Sequence, residues 1–183
     1  LLLLICIYLV VVKVVIGKSP SYFLKGISPA QLLAFSTSSS AATLPVTMER
    51  VQDHLGVDEE VSSFVLPIGA TINMDGSALY QAVAAVFIAQ AFGLDLSLAA
   101  QLGIISTATL ASIGSAAVPG AGMVMLAIVL GQLRVPMEGI GLILGVDRLL
   151  DMCRTVVNVT GDAMVSTVIA KQIGQLKIKS VVN

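Results

Sequence analysis

The chain has 183 residues, one domain's length, with 56 % hydrophobic and only 11 % charged residues and a mean hydropathy of +0.97. Soluble domains carry about 25 % charged residues, and a water-soluble fold could not hide this much apolar surface, so the chain belongs in a lipid bilayer. A net charge of −1 offers no basic surface for nucleic acid.

Residues 1–17, "LLLLICIYLVVVKVVIG", read as the end of a transmembrane helix, because about 20 apolar residues cross a bilayer. They lack the basic start and the small-residue cleavage site of a signal peptide. The chain is therefore expected to be the C-terminal part of a longer protein. Residues 18–27 read as a loop. In 28–49, short apolar arms (Ser28–Phe35 and Leu44–Met48) flank "STSSSAAT", and 50–60 read as a second aqueous loop. Residues 61–93 are an apolar span cut by "NMDG" at Asn73–Gly76. In 98–133, arms Leu98–Ala111 and Met123–Leu133 flank "SIGSAAVPGAG". Residues 138–173 are the final transmembrane helix, and 174–183 a tail.

The segments 28–49 and 98–133 share one shape. An arm of about 12 residues reaches about 18 Å, little more than half the hydrocarbon thickness, which favours re-entrant hairpins over soluble loops between short spans. An irregular tip at that depth has to be buried in protein or line a cavity. Lys18, Lys25, Arg50, Lys171, Lys177 and Lys179 then share one face, and among loop residues Arg134 alone takes the other. The rich face, with the C-terminus, is cytoplasmic by the positive-inside rule.

In the last helix Asp147, Asp151, Arg154, Asn158 and Asp162 follow spacings of 4, 3, 4 and 4. At a helical period they form one polar stripe about 80° wide. A charge at the bilayer centre costs at least about 2.5 to 3.5 kcal/mol, so the stripe faces protein, water, ions or a polar ligand. An Asp151–Arg154 pair that only ties helices together is the plainer alternative, but it leaves Asn158 and Asp162 unexplained. "TINMDGSALY" places Asp75 in mid-span beside poor helix formers, so the helix is expected to break there. The freed carbonyls, with carboxylate and amide oxygens, suit a hard cation; the alternative is a kink capped by Asp75. The serine-rich and glycine-rich tips offer hydroxyls and free N–H groups that suit a carboxylate. Cys6 and Cys153 have neither disulfide nor metal-ligand spacing, and His54 sits in a polar loop.

The ordered set "SSSAATLP", "NMDGSALY", "SIGSAAVPGAG" and "DMCRTVVNVTGD" resembles the glutamate/aspartate:sodium symporter family over nearly the whole chain, closest to its prokaryotic aspartate and glutamate transporters. The resemblance implies an all-α membrane protein: a transport-domain core of two re-entrant hairpins, one broken helix and one polar-striped helix. It further implies a homotrimer of elevator-type transporters in the inner (plasma) membrane. By the same resemblance, Asp151 holds a substrate amino group and Arg154 its side-chain carboxylate. Thr155, Asn158, Ser77, Ser38, Ser40, Val118 and Gly122 complete the substrate site. One sodium ion falls to Asp162 with Gly69, Asn73 and Asn158, a second to Thr71, Met74, Ser112, Ile113 and Ser115, and part of a third to Asn73 and Asp75.

Three departures are visible. Ser38 stands where archaeal members have Arg. Ala117 replaces a usual glycine, which stiffens the second tip. Gln81 stands where proton-coupled animal members carry Glu. The competing readings are a proton-coupled C4-dicarboxylate carrier, which lacks the carboxylate of Asp151, and an intramembrane aspartyl protease using Asp75 and Asp162. The protease reading leaves Arg154 idle and lacks the Gly-x-Gly-Asp signature. A structural membrane fragment without a site is the blandest reading.

Overall fold

The computed structural model describes residues 1–132 and 135–177, and Arg134 and Lys179, used above for orientation, lie outside them. Helix α1 (Leu2–Val11) continues into a π-helical turn, Val12–Ile16. Then come α2 (Pro20–Thr37), α3 (Ser40–Asp53), α4 (Glu59–Ile72), α5 (Asp75–Ala91), α6 (Leu98–Ile113) and α7 (Ala121–Gln132). A 3₁₀ turn, Met137–Ile140, leads into α8 (Gly141–Gln172). The fold is all-helical; among the described residues the only β contact is an isolated bridge between Val57 and Leu176.

The hairpin arms are longer than their apolar stretches. The loop expected over 18–27 is helical from Pro20 onward. Ser19 caps α2 by accepting from Tyr22 N, and Pro20 sits at the first helical position, where its missing N–H is no loss. Pro29 does not stop α2 either. The Ser28 hydroxyl donates to the Lys25 carbonyl, the group that a residue with an N–H at position 29 would have used. α3 likewise runs through Pro45 to Asp53, so the second loop shrinks to 54–58.

The broken span, Glu59–Ala91, is long and apolar enough to cross a membrane. α8, with 32 residues, is about 48 Å long, ample for a span, but it carries the polar stripe. Its C-terminal part from Asp151 is the axis of the fold. There nearly every side chain is at least half-buried among α1, α2, α3, α4 and α5. Two apolar clusters flank this axis, one around Phe23, Ile27, Val51 and Leu66, the other around Ile88, Ile104, Leu126 and Leu130. Outside them Leu2, Leu32, Phe64, Leu110 and Leu144 stay exposed, as suits hydrocarbon surroundings.

Candidate ligand and ion site

Three irregular segments converge on the middle of α8, and each is shaped by its own residues. α4 stops at Ile72. Asn73 and Met74 take non-helical conformations, and α5 restarts at Asp75. The first free amides of a helix need partners. The Asn158 side chain supplies one: Oδ1 accepts from Gly76 N at 2.9 Å, while Nδ2 donates to Ser77 Oγ at 3.1 Å. The break is thus pinned to the stripe.

The tip between α2 and α3 turns in two residues. Ser38 adopts a left-handed conformation (φ 53°), unusual for a residue with a Cβ, and Ser39 then caps α3 through Ala42 N. The tip between α6 and α7 spans 114–120. Gly120 sits at φ 80°, and its N–H donates to Asp151 Oδ2 at 2.9 Å. The two tips touch, because Ser39 Oγ donates to the Ala117 carbonyl at 2.7 Å.

Arg154 lies beneath both tips. Its Nη2 pairs with Asp151 Oδ1, and its guanidinium stacks 4.5 Å from the centre of the Tyr80 ring. Tyr80 is held in turn, donating its hydroxyl to Asp147 Oδ1 at 2.6 Å. A Cβ on Gly122 would collide with the guanidinium, so only glycine admits this approach. Arg154 Nη1 and Ser38 Oγ are both buried without a hydrogen-bond partner. A buried polar atom left unpaired costs about 1 to 3 kcal/mol, so the pair of them marks room for a ligand. All nine residues expected at the substrate, namely Ser38, Ser40, Ser77, Val118, Gly122, Asp151, Arg154, Thr155 and Asn158, line this one cavity.

The residues expected at sodium divide into two groups. Asn73 Nδ2 donates to Asp162 Oδ1 at 2.9 Å, and Gly69 lies so close to that carboxylate that a side chain there would meet it. Asp75 Oδ2 accepts from the Tyr8 hydroxyl at 2.8 Å. Among the described residues the ion pairs are Asp151–Arg154 and Asp58–Lys177, so neither Asp162 nor Asp75 meets a basic side chain there. The buried carboxylate of Asp162, with Gly69 packed against it, offers oxygen of the kind a hard cation takes. The described residues contain no cluster of three acidic, histidine or cysteine residues of the kind a transition metal takes. Met74 and Ser115 line the ligand cavity. Thr71 and Ile113 are exposed, and the hydroxyls of Thr71 and Ser112 turn back to the carbonyls of Ile68 and Thr109.

Tyr8, Tyr80, Asp147 and Ser39 join these networks without having been assigned a role from sequence. Tyr80 closes the quoted "NMDGSALY" and Asp147 opens the stripe, so both were within reach. Tyr8 was hidden in an apolar run, and nothing distinguished Ser39 from its two neighbours.

The family profile described as the sodium:dicarboxylate symporter family matches residues 1–172. Among curated proteins, excitatory amino acid transporter 3 of Mus musculus is 51 % identical over 174 residues, covering 93 % of this chain and 33 % of that protein. Excitatory amino acid transporter 3 of Homo sapiens is 49 % identical over the same share of each. An excitatory amino acid transporter of Caenorhabditis elegans is 52 % identical over 147 residues, 80 % of this chain and 29 % of that one. The chain thus spans about a third of the length of these relatives, all of them animal proteins.

Proposed function

The chain belongs to the sodium:dicarboxylate symporter family, and from that premise we propose that it is the substrate-binding part of a sodium-coupled symporter of acidic amino acids, aspartate, glutamate or both. The observation that carries this reading is the unpaired Arg154 Nη1 in a cavity that also holds Asp151. An amino acid with a second carboxylate answers both groups: its amino group meets Asp151, and its distal carboxylate meets Arg154. Ser38, Ser40, Ser77, Thr155 and Asn158 supply hydroxyl and amide contacts, and Val118 with Gly122 covers the ligand from the second tip. Asp151 favours an amino acid over a C4-dicarboxylate, which has no cation to offer it.

Sodium is a co-substrate in this reading. Asp162 with backbone of Gly69, Asn73 and Asn158 holds one ion, Thr71, Met74, Ser112, Ile113 and Ser115 a second, and Asn73 with Asp75 part of a third. Gln81 is fully buried on α5 and cannot titrate, so α5 offers no proton carrier at that position. The full-length protein works as a homotrimer in the plasma membrane. Both hairpins are re-entrant, the C-terminus is cytoplasmic, and the substrate-binding part moves as an elevator whose gate is the second hairpin.

Calorimetric titration of the full-length protein with aspartate, glutamate and serine, each with and without sodium, tests this. Acidic amino acids should bind only with sodium, and serine weakly. Binding of aspartate that ignores sodium would overturn the coupling. The Asp162→Asn variant should need a higher sodium concentration for the same aspartate occupancy, because it removes the charge that makes a cation welcome there. An unchanged sodium requirement would remove Asp162 from the ion site.

A further inference from the structure

The two tips meet through one side chain that does not line the cavity. Ser38, Ser40 and Ala117 are part of the cavity wall, while Ser39, between the two serines, is not. Its hydroxyl instead donates to the Ala117 carbonyl at 2.7 Å. The same carbonyl receives Ala41 N at 3.4 Å, one of the free amides in the first turn of α3. Ala117 O therefore docks on the N-terminus of α3, where backbone donors and the helix dipole favour an acceptor. Ser39 Oγ meanwhile accepts from Ala42 N, so this hydroxyl caps α3 and donates across to the second hairpin at once. It is 6 % exposed, so water competes little for the bond.

The other tie on the second tip, Gly120 N to Asp151, runs through a group that lines the cavity and is shared with whatever binds there. The bonds from Ser39 and from Ala41 N to the Ala117 carbonyl are ties whose donors do not line the ligand site, and Ser39 supplies the shorter of the two. We propose that Ser39 is a positioning residue that latches the second hairpin shut over the occupied cavity and so sets how slowly the ligand leaves. This rests on the reading of the cavity as an acidic amino acid site with the second hairpin as its gate.

Four forms of the full-length protein separate the latch from the cap: the parent, Ser39→Thr, Ser39→Gly and Ser39→Ala. Threonine keeps both the cap and the donor. Glycine caps almost as well as serine but has no hydroxyl to donate, and alanine loses both functions. Two readouts apply: the aspartate dissociation rate in saturating sodium, and the mobility of a spin label at Ala121. Glycine and alanine variants should release aspartate about 2- to 10-fold faster, the range for one net hydrogen bond, with association unchanged. The label should loosen in both, and threonine should match the parent.

Acceleration by alanine alone would assign the effect to the cap and overturn the latch. So would release from the glycine variant at the parent rate. Should the parent fail to bind aspartate with sodium, the functional reading falls by itself. The latch is then judged on label mobility alone, and equal mobility in the parent and the glycine variant overturns it.

Discussion

The first hairpin reverses in two residues, Ser38 and Ser39, and the second takes seven, 114–120. Both arms of the first, α2 and α3, pack along α8, whereas α6 and α7 pack on α5 and on each other and reach α8 chiefly through the tip. Ser38, Ser39 and Ser40 are all but inaccessible, while Val118 at the second tip is 52 % exposed. Leu98, Leu102, Ile105, Leu110, Val124 and Ile128 leave the outer face of the second hairpin bare. A segment with fewer buried contacts opens at lower free energy. One cavity wall is therefore built into the core and the other rests against it, the arrangement a gated site needs.

The largest expected effect strikes the group both walls close over. Arg154→Cys in the full-length protein should weaken aspartate by about 30- to several-thousand-fold, the 2 to 5 kcal/mol typical of removing one partner from a buried charge pair. Serine, which brings no distal carboxylate, should be spared or gain. Isothermal titration with both ligands checks this. A variant that kept the parent aspartate-to-serine ratio would make Arg154 a structural partner of Asp151 and nothing more.

Next comes a change confined to the second wall. Gly122→Ala puts a Cβ into the guanidinium of Arg154, so either the tip or the arginine has to move. Overpacking of this kind costs about 1 to 3 kcal/mol, or about 5- to 150-fold in affinity. The closed, ligand-bound state should bear that cost while the apo melting temperature changes little, because the loosely held hairpin relaxes away. Equal losses in apo and bound stability would mean that the second wall is as rigid as the first.

How much of this contrast was legible beforehand depends on the reach of each interaction. The stripe was visible because its residues sit three or four apart on one helix. The break at Asn73 and Met74 was visible because poor helix formers interrupt an apolar run. The extent of α2 is hidden because the basic stretch "KSPSYFLKG" looks like an aqueous loop, whereas Ser19 and Pro20 start a helix there and the Ser28 hydroxyl repairs the ladder that Pro29 interrupts. Contacts from Tyr8 to Asp75, Tyr80 to Asp147 and Ser39 to Ala117 link residues 67 to 78 positions apart. No local pattern encodes such pairings; they arise once α5 and both tips have docked on α8.

A smaller effect compares the walls in motion. Spin labels at Ala121 on the second hairpin and at Ser36 on the first should differ when sodium and aspartate are added together. The label at Ala121 should lose mobility by a readily measured margin, and the one at Ser36 should not change. Ordering of both labels to the same degree would dissolve the distinction between a fixed wall and a gate.

The smallest effect concerns the base of the first hairpin, which is held as its tip is. Past α3 the chain forms the Val57–Leu176 bridge, with Asp58 N donating to the Gln175 carbonyl and Lys177 N to that of Gly56. Asp58 and Lys177 pair at 2.6 Å on the surface beside it. The Lys177 ammonium and the Glu60 amide hold the Asp58 carboxyl below its usual range, and Asp58 in turn raises Lys177. A carboxylate lowered in the folded state adds stability that is fully present above its ordinary value of about 3.9 and is lost as pH falls through its folded value. For Lys177 the sign is opposite: its contribution holds below about 10.4 and fades as pH rises through its raised value. The clasp should therefore be flat across neutral pH and loosen only at the acid and alkaline ends. Lys177 is exposed and Asp58 partly so, and water screens the pair, so the change should be slight. Amide exchange at Asp58 and Lys177, expressed relative to the intrinsic rate at each pH, reads it directly. Protection in the parent should step down below about pH 4, while Asp58→Asn should start lower and show no step. An acid step that survives in Asp58→Asn would place the titrating group elsewhere and remove this ion pair from the clasp.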